Sequence, residues 1–152
     1  MWEIPSDFVP KTAITVLIPA RNEAENIVAC IQSISQQNYP KALLQIIVID
    51  DHSSDNTVEL VNQFNHNHVQ VLSLADFVEE SQTKSFKKRA IEIGVAHATG
   101  ELILGTDADC ILPNQWLAFF ASYYQKNNSA FIAAPVNFYQ EKNLLELSLI
   151  HI

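Results

Sequence analysis

Two aspartates separated by one small residue, Asp107-Ala108-Asp109, are the first residues here whose types and spacing can do chemistry. On a turn after a strand, carboxylates one residue apart can face the same ligand. One can reach a hard divalent cation while the other reaches a hydroxyl or a metal-bound water. Mg2+ and Mn2+ prefer oxygen ligands, commonly one or two carboxylates plus substrate phosphates. The tripeptide is also common, and Asp109 or Asn114 can instead cap the helix that follows. A second acidic pair, Asp50-Asp51, ends another apolar run. Adjacent strand residues point to opposite faces, so one of the two enters a ligand crevice. Asp51, nearer the loop, is the better placed to accept a hydrogen bond from a base or ribose. Arg21 and Glu23 bring a guanidinium and a carboxylate just beyond a third run, suited to a phosphate and a polar heterocycle. Lys84, Lys87, Lys88 and Arg89 form the single basic cluster, and Lys87 and Lys88 open the helix before the strand that ends in Asp107.

These groups need elements that bring them to one place. Apolar, β-branched runs alternate with segments of helical period along the chain, the pattern of an α/β fold with a mostly parallel, Rossmann-like sheet and helices on both faces. Strands are expected at residues 13–18 (closed by Pro19), 45–49, 69–72, 101–105 and 131–136. The first helix has Asn22 as N-cap, Glu25 as capping-box partner, and Ile27, Cys30, Ile31 and Ile34 on its buried face. The second starts near Asn56 and buries Leu60, Val61 and Phe64. The third, over 85–98, places Phe86, Ala90, Ile91, Gly94, Val95 and Ala98 on one stripe, with Gly100 as a C-terminal stop. A fourth spans about 114–126, and 73–83 reads as a surface loop. In such sheets ligands bind beyond the carboxyl ends of the strands. Three of those ends carry the polar residues 19–23, 50–54 and 106–109, and their convergence is the main argument for a site.

Composition narrows the partners. The chain has 152 residues, enough for one domain, and 48% are hydrophobic, so it is globular. A net charge of -8 excludes a nucleic-acid surface, which needs a basic stripe, and leaves the small basic cluster suited to a compact anion such as a diphosphate. Cys30 and Cys110 show no metal-ligand spacing, which favours a reduced, cytosolic protein. Cys110, beside Asp109, reads as a small buried residue rather than a nucleophile. The five histidines show no metal-ligand spacing either. No signal peptide is visible, and no apolar run approaches the ~20 residues of a membrane span.

Taken together, the segments from about Thr15 to Pro135 resemble the family 2 glycosyltransferases, which have the GT-A fold. The resemblance rests on four ordered blocks: Ile18-Pro19-Ala20-Arg21-Asn22-Glu23, then Val48-Ile49-Asp50-Asp51-His52-Ser53-Ser54-Asp55, then Lys87-Lys88-Arg89-Ala90-Ile91 through Thr99-Gly100-Glu101, then Thr106-Asp107-Ala108-Asp109. It implies transfer of a sugar, with inversion, from a nucleotide diphosphate donor to an acceptor hydroxyl. It puts Pro19, Ala20, Arg21, Glu23 and Asp51 at the nucleotide, usually uridine, and Lys87 near the diphosphate. Asp109 becomes the ligand of a Mg2+ or Mn2+ ion, Asp107 a ribose or metal contact, and Ala108 a neighbour of the donor. The acceptors implied are polysaccharide or lipid-linked, as in cell-envelope synthesis, at the cytoplasmic face of a membrane that only further segments would reach.

Three departures stand out. His52 occupies a position where the family often has Gly, and the basic block lacks its usual preceding Gly, which leaves Lys87 and Lys88 as alternatives. No catalytic base can be assigned: in the family it lies well downstream of the paired aspartates, and Glu141 and Glu146 fall in an unrelated stretch. Residues 12–152 therefore read as a donor-binding unit behind an extended lead-in over 1–11, cut before the acceptor region and leaving an exposed apolar patch. Two alternatives follow. One is a nucleotide-sugar-binding module without turnover. The other is a receiver-like phosphoacceptor domain built on Asp50-Asp51, although a complete strand and helix precede that pair. A dinucleotide-binding oxidoreductase is excluded, since none of the three glycines makes a GxGxxG after the first strand.

Overall fold

The computed structural model describes residues 3–64, 66–77 and 86–133. Four strands, β1 (Ile14–Ala20), β2 (Leu44–Asp50), β3 (Val69–Ser73) and β4 (Leu102–Gly105), form one parallel sheet in the order β3-β2-β1-β4. The connecting helices are α1 (Ile27–Ser35), α2 (Thr57–Asn62) and α3 (Phe86–His97), and α4 (Trp116–Asn127) follows β4. β1 and β2 are nearly continuous runs of Ile, Val and Leu because both faces of the sheet are covered. One face carries Ile14, Val16, Ile18, Ile46, Val48 and Leu104, packed with α1 residues Ile27, Cys30, Ile31 and Ile34 and with α4 residues Leu117, Phe120 and Ala121. The other face packs Leu17, Ile47 and Ile49 against Ala90 of α3. The fold is the expected GT-A-like α/β sheet.

Local structure departs from the sequence-based expectation at several points. Pro19 does not close β1 but lies inside it, opposite Ile49. The Leu17 carbonyl accepts from Thr106 on the β4 side and the Ala20 carbonyl accepts from Asp51 on the β2 side. Alternation therefore turns Pro19 towards β4, which has already ended at Gly105, so the missing N–H costs no ladder bond. Asn22 is not the cap of α1, which starts after Asn26 without a side-chain cap bond. Asn22 instead has φ 54° and bonds to the loop after β2. In α2, Val61 is buried while Leu60 and Phe64 are only half-buried. In α3 the buried stripe is Ala90, Ile93 and Gly94, and Ile91 and Val95 are exposed. A Cβ on Gly94 would sit 3.0 Å from Leu17 and 3.1 Å from Ile49, so the helix approaches the sheet through this glycine and turns Ile91 and Val95 outward. Of the expected fifth strand, Phe131 to Ala133 form no strand, and 134–136 lie outside the described residues.

Gly100 owes its identity to close approach rather than to a left-handed helix end, since no glycine has positive φ. A Cβ there would lie 2.4 Å from the Thr15 nitrogen and 2.6 Å from the Ile14 carbonyl carbon, whereas at Gly105 nothing lies within 4 Å. Around Gly100 a polar knot ties α3 to the sheet: Gln45 Oε1 accepts from Thr15 Oγ1 and from Thr99 N, and Thr15 Oγ1 accepts from Gly100 N. Gly100→Ala is expected to lose about 2–3 kcal/mol by overpacking against backbone, while Gly105→Ala stays within about 0.5 kcal/mol. Paired urea unfolding curves check this.

Tyr39, in the turn after α1, is buried and donates its hydroxyl to the Thr12 carbonyl at 2.7 Å. Burial raises that hydroxyl from 10.0 to about 12. The folded state thus holds the proton more tightly than the unfolded one. The contribution is whole below pH 10 and is lost as pH climbs through 12, roughly 2 kcal/mol in all. Tyr39→Phe should flatten the loss of stability between those pH values, read as Tm against pH.

Candidate functional site

The strand order reverses between β1 and β4, and at that switch point the carboxyl ends of β1, β2 and β4 form one edge. Two of the loops there are laced together. Asn22 N donates to Ser53 Oγ at 2.9 Å, and Asn22 Oδ1 accepts from Ser54 N at 2.8 Å. Glu23 N donates to Thr57 Oγ1 at 2.9 Å and Ala24 N to Asp55 Oδ2 at 3.1 Å. Asp51 N donates to the Ala20 carbonyl at 2.8 Å, extending the β1–β2 ladder by one step. Asp55 also accepts from Thr57 N at 3.0 Å and from the Thr57 hydroxyl, and chiefly this hydroxyl bond holds its carboxyl below the usual range. Each loop contains one left-handed residue, Asn22 at φ 54° and His52 at φ 56°. Asn and His are the side chains that tolerate this region better than most.

Within this frame the expected site residues take distinct positions. Pro19 is half-buried and Ala20 buried at the end of β1, while Arg21 is exposed. Asp50 points into the fold, 4% exposed, with Ser53 N at 3.3 Å from one of its carboxylate oxygens. Asp51 points the other way, as strand alternation requires. Its Oδ1 lies 3.0 Å from His52 Nδ1 and its Oδ2 lies 3.6 Å from Arg21 Nη1. Glu23 Oε2 accepts from Asn26 at 3.0 Å, a bond within its own loop.

The turn after β4 is built around Ala108. That side chain is buried in the α1 and α4 core, while Asp107 and Asp109 on either side are exposed. A large residue at 108 would not fit, and the burial of this one turns both carboxylates to solvent. Lys87, one residue into α3, reaches across to Asp107 Oδ1 at 2.7 Å. This contact selects Lys87 over Lys88 as the basic residue facing the acidic turn. Lys84 lies outside the described residues, as do Glu141 and Glu146. Neither Asp109 nor Asn114 caps α4, whose N-cap is Gln115 without a side-chain bond.

A polar row on α1 and just beyond its end holds the acidic turn and the start of α4 in place. Cys30 Sγ donates to the Asp107 carbonyl at 3.6 Å, which also accepts from Cys110 N at 3.3 Å. Three and seven residues further on, Ser33 Oγ accepts from Leu112 N at 3.1 Å and Gln37 Oε1 accepts from Leu117 N at 2.9 Å. Burial, with Cys110, Asp109, Glu23 and Asp107 adding to it, pushes the Cys30 thiol up to about 12, so it stays a donor. Both cysteines are free thiols. Sequence reasoning placed Cys30 correctly on the buried face but missed this bonding role, and it missed Ser33 and Gln37. The signal was present as three polar-capable residues at helical spacing on an otherwise apolar face.

Among the described residues, no group of three or more His, Cys, Asp or Glu is arranged to hold a metal ion by itself. None of their helices is long and apolar enough to cross a membrane. A shallow concavity of about 660 Å³, lined by Lys41, Gln45, His66, His68 and Thr99, lies at the opposite end of the sheet, away from the acidic turn. The strand order also disposes of the receiver-like alternative. Doubly wound signalling domains run 2-1-3-4-5 with their acidic pair after the first strand, and here the pair follows β2 in the order 3-2-1-4.

Comparison with known sequences decides the family: residues 15–150 match the description "Glycosyl transferase family 2". The chain belongs to glycosyl transferase family 2. Among its curated relatives, Glycosyltransferase AglE of Haloferax volcanii is 33% identical over 106 residues, 68% of this chain and 33% of that protein. Dolichyl-phosphate beta-glucosyltransferase ALG5C of Trichomonas vaginalis is 35% identical, over 69% of this chain and 32% of that protein. The chain thus spans about a third of the length of these relatives. Among solved structures, the mannosyltransferase PcManGT from Pyrobaculum calidifontis, in complex with GDP-Man and Mn2+, superposes with a TM-score of 0.63 at 31% identity, over 79% of this chain and 35% of that one. Staphylococcus aureus TarS in complex with UDP-GlcNAc has a TM-score of 0.63 at 22% identity, covering 84% of this chain and 38% of its own, a likeness of fold.

The lacing predicts a stability signature. Asn22→Ala removes the acceptor for Ser54 and leaves at positive φ a residue that tolerates that region less well than Asn, for a loss of about 2 kcal/mol. Asn22→Gly keeps the backbone conformation and should lose about half as much. Equal losses in the two variants, measured by chemical denaturation, would show that the left-handed turn does not persist.

Proposed function

We propose that this glycosyltransferase chain is the donor-binding part of an inverting enzyme that moves a sugar from a nucleoside diphosphate, UDP in our reading, to an acceptor hydroxyl. The observation that carries this is the meeting of Asp51, Lys87, Asp107 and Asp109 at one edge of the sheet, around the switch point. Asp51 accepts a hydrogen bond from the base, with its carboxylate oriented by His52 on one oxygen and Arg21 on the other. Pro19 and Ala20 shape the nucleotide floor and Glu23 stiffens the adjoining loop. Lys87 serves the diphosphate.

The donor set suits a hard divalent cation. Asp107 and Asp109 are exposed carboxylates flanking a buried Ala108, and two such ligands with phosphate oxygens make an ordinary Mg2+ or Mn2+ site. A cation bound there would supply electrophilic stabilisation to the departing diphosphate. Ala108, anchored in the core, holds the two acids turned towards the donor. The attacking hydroxyl needs a general base, and we assign none to the described residues. The solved relative with GDP-Man and Mn2+ supports the class of donor and cation, and a poly-beta-1,6-N-acetyl-D-glucosamine synthase of Staphylococcus epidermidis, 27% identical, and the dolichyl-phosphate glucosyltransferase support a polysaccharide or lipid-linked acceptor.

Calorimetric titration of the chain with UDP, and with GDP for comparison, tests this with and without Mn2+. UDP should bind more tightly with Mn2+ present. Asp51→Asn and Asp109→Asn should each weaken binding about tenfold, with only Asp109→Asn abolishing the Mn2+ enhancement. A preference for GDP would overturn the uridine reading and leave the nucleotide-sugar reading intact.

A further inference from the structure

We infer that Lys87 occupies the electrostatic place of the divalent cation at Asp107 while the site is empty, so that cation and nucleoside diphosphate load together rather than one after the other. This rests on the donor-binding reading above and adds an order of events to it. Three observations converge. Lys87 Nζ lies 2.7 Å from Asp107 Oδ1, across the crevice between the start of α3 and the end of β4. The described residues offer no cluster of three ligands, so the two aspartates hold a cation only weakly without phosphate oxygens. The first turn of α3 holds Lys87, Lys88 and Arg89 and no acid, placing like charge at the positive end of the helix dipole.

The balance of charges follows. With the site empty, the ammonium of Lys87 neutralises Asp107 and offsets part of the repulsion between Asp107 and Asp109. A divalent ion arriving alone must displace that ammonium back towards the positive end of α3 and receives only two carboxylates in return. A diphosphate arriving with its ion brings the anion that Lys87 and the α3 N-terminus attract. The lysine then transfers from carboxylate to phosphate, and Asp107 becomes available. The pair is cheap to exchange because both partners are exposed, Lys87 at 66% and Asp107 at 60%. Arg89 is less free to take this role, being engaged with Glu92 at 3.0 Å.

The test has two arms, both read without turnover. Mn2+ binding to the nucleotide-free chain is followed by the electron paramagnetic resonance of free Mn2+, and UDP binding at saturating Mn2+ by calorimetry. The variants are Lys87→Ala, Lys87→Arg and Lys88→Ala, the last removing an equal charge from the same helical turn. Lys87→Ala should tighten Mn2+ alone about threefold and weaken UDP in the presence of Mn2+ about tenfold. Opposite signs are the signature, because a merely structural role would shift both in the same direction. Lys87→Arg should restore the wild-type pattern, and Lys88→Ala should leave Mn2+ alone within about 1.5-fold. Unchanged or weaker Mn2+ binding in Lys87→Ala, or equal tightening in Lys88→Ala, overturns the inference. If neither UDP nor GDP binds the wild-type chain, the proposed function falls, while the Mn2+ arm still decides whether Lys87 holds the cation's place.

Discussion

The site depends on where β1 stops being shared. Up to Leu17 its backbone is bonded on both sides, to β2 and to β4. From there β2 continues alongside to Asp50, while β4 ends and its chain leaves. A central strand cannot drop a partner without exposing backbone groups, and the residue at the point of release is Pro19, which has no donor to orphan. The separation of two chains at that step opens the crevice and presents Arg21, Asp51 and Asp107 along one edge. Had β4 paired two residues further, Pro19 would have faced a ladder it cannot join.

An opened edge is soft unless something else holds its loops, and here side chains take over from the sheet. The loop after β1 hangs on Ser53, Ser54, Asp55 and Thr57, each bonding a backbone or amide group across the gap. The turn after β4 hangs on Cys30 and Ser33 of α1, with Gln37 fixing the start of α4. The bonds made by Thr57, Cys30, Ser33 and Gln37 satisfy polar groups that burial would otherwise penalise. They also transmit position: α1 packs by Ile27, Ile31 and Ile34 into the sheet, so its polar row inherits the rigidity of the core. The carboxylates are exposed, yet their backbone is anchored to one of the best-packed helices in the molecule.

Much of this was legible in the sequence. The four strands and the three polar strand ends follow from periodicity and from the rule that ligands meet parallel sheets at strand termini, while Pro19, Ala20 and Ala108 became candidates only through the family resemblance. The misses share a cause. Asn22 has the character of a helix cap, and only the partner loop, 31 residues away at Ser53, turns it into a bridge. Ile91 and Val95 satisfy a helical stripe as well as Ile93 does, and the close approach at Gly94 decides which face is buried. Gly100 looks like a helix terminator, and the reason for it is the backbone of β1, 85 residues earlier at Thr15. Local pattern fixes elements and their approximate faces, whereas bonds between loops distant in the chain decide what polar residues do. At His52, where the family often has glycine, the backbone takes a positive φ of 56°, a conformation that the departure from glycine did not by itself announce.

The contrast between Asp50 and Asp51 with Asp107 and Asp109 separates two ways of using a carboxylate. Asp50 is buried and bonded to Ser53 N in its own turn, so it shapes backbone and is costly to rearrange. Asp51 is partly buried between Arg21 and His52, a geometry that favours a fixed acceptor over an exchangeable one. Asp107 and Asp109 stand in water, where an ion pair such as that with Lys87 contributes about 0–1 kcal/mol and can be traded for a better partner. A recognition group gains from being held still, and a group that must accept and release a charged partner gains from weak, solvated bonds. Under the proposed function, the gradient of burial from Asp50 through Asp51 to Asp107 matches that division of labour along a single edge of the sheet.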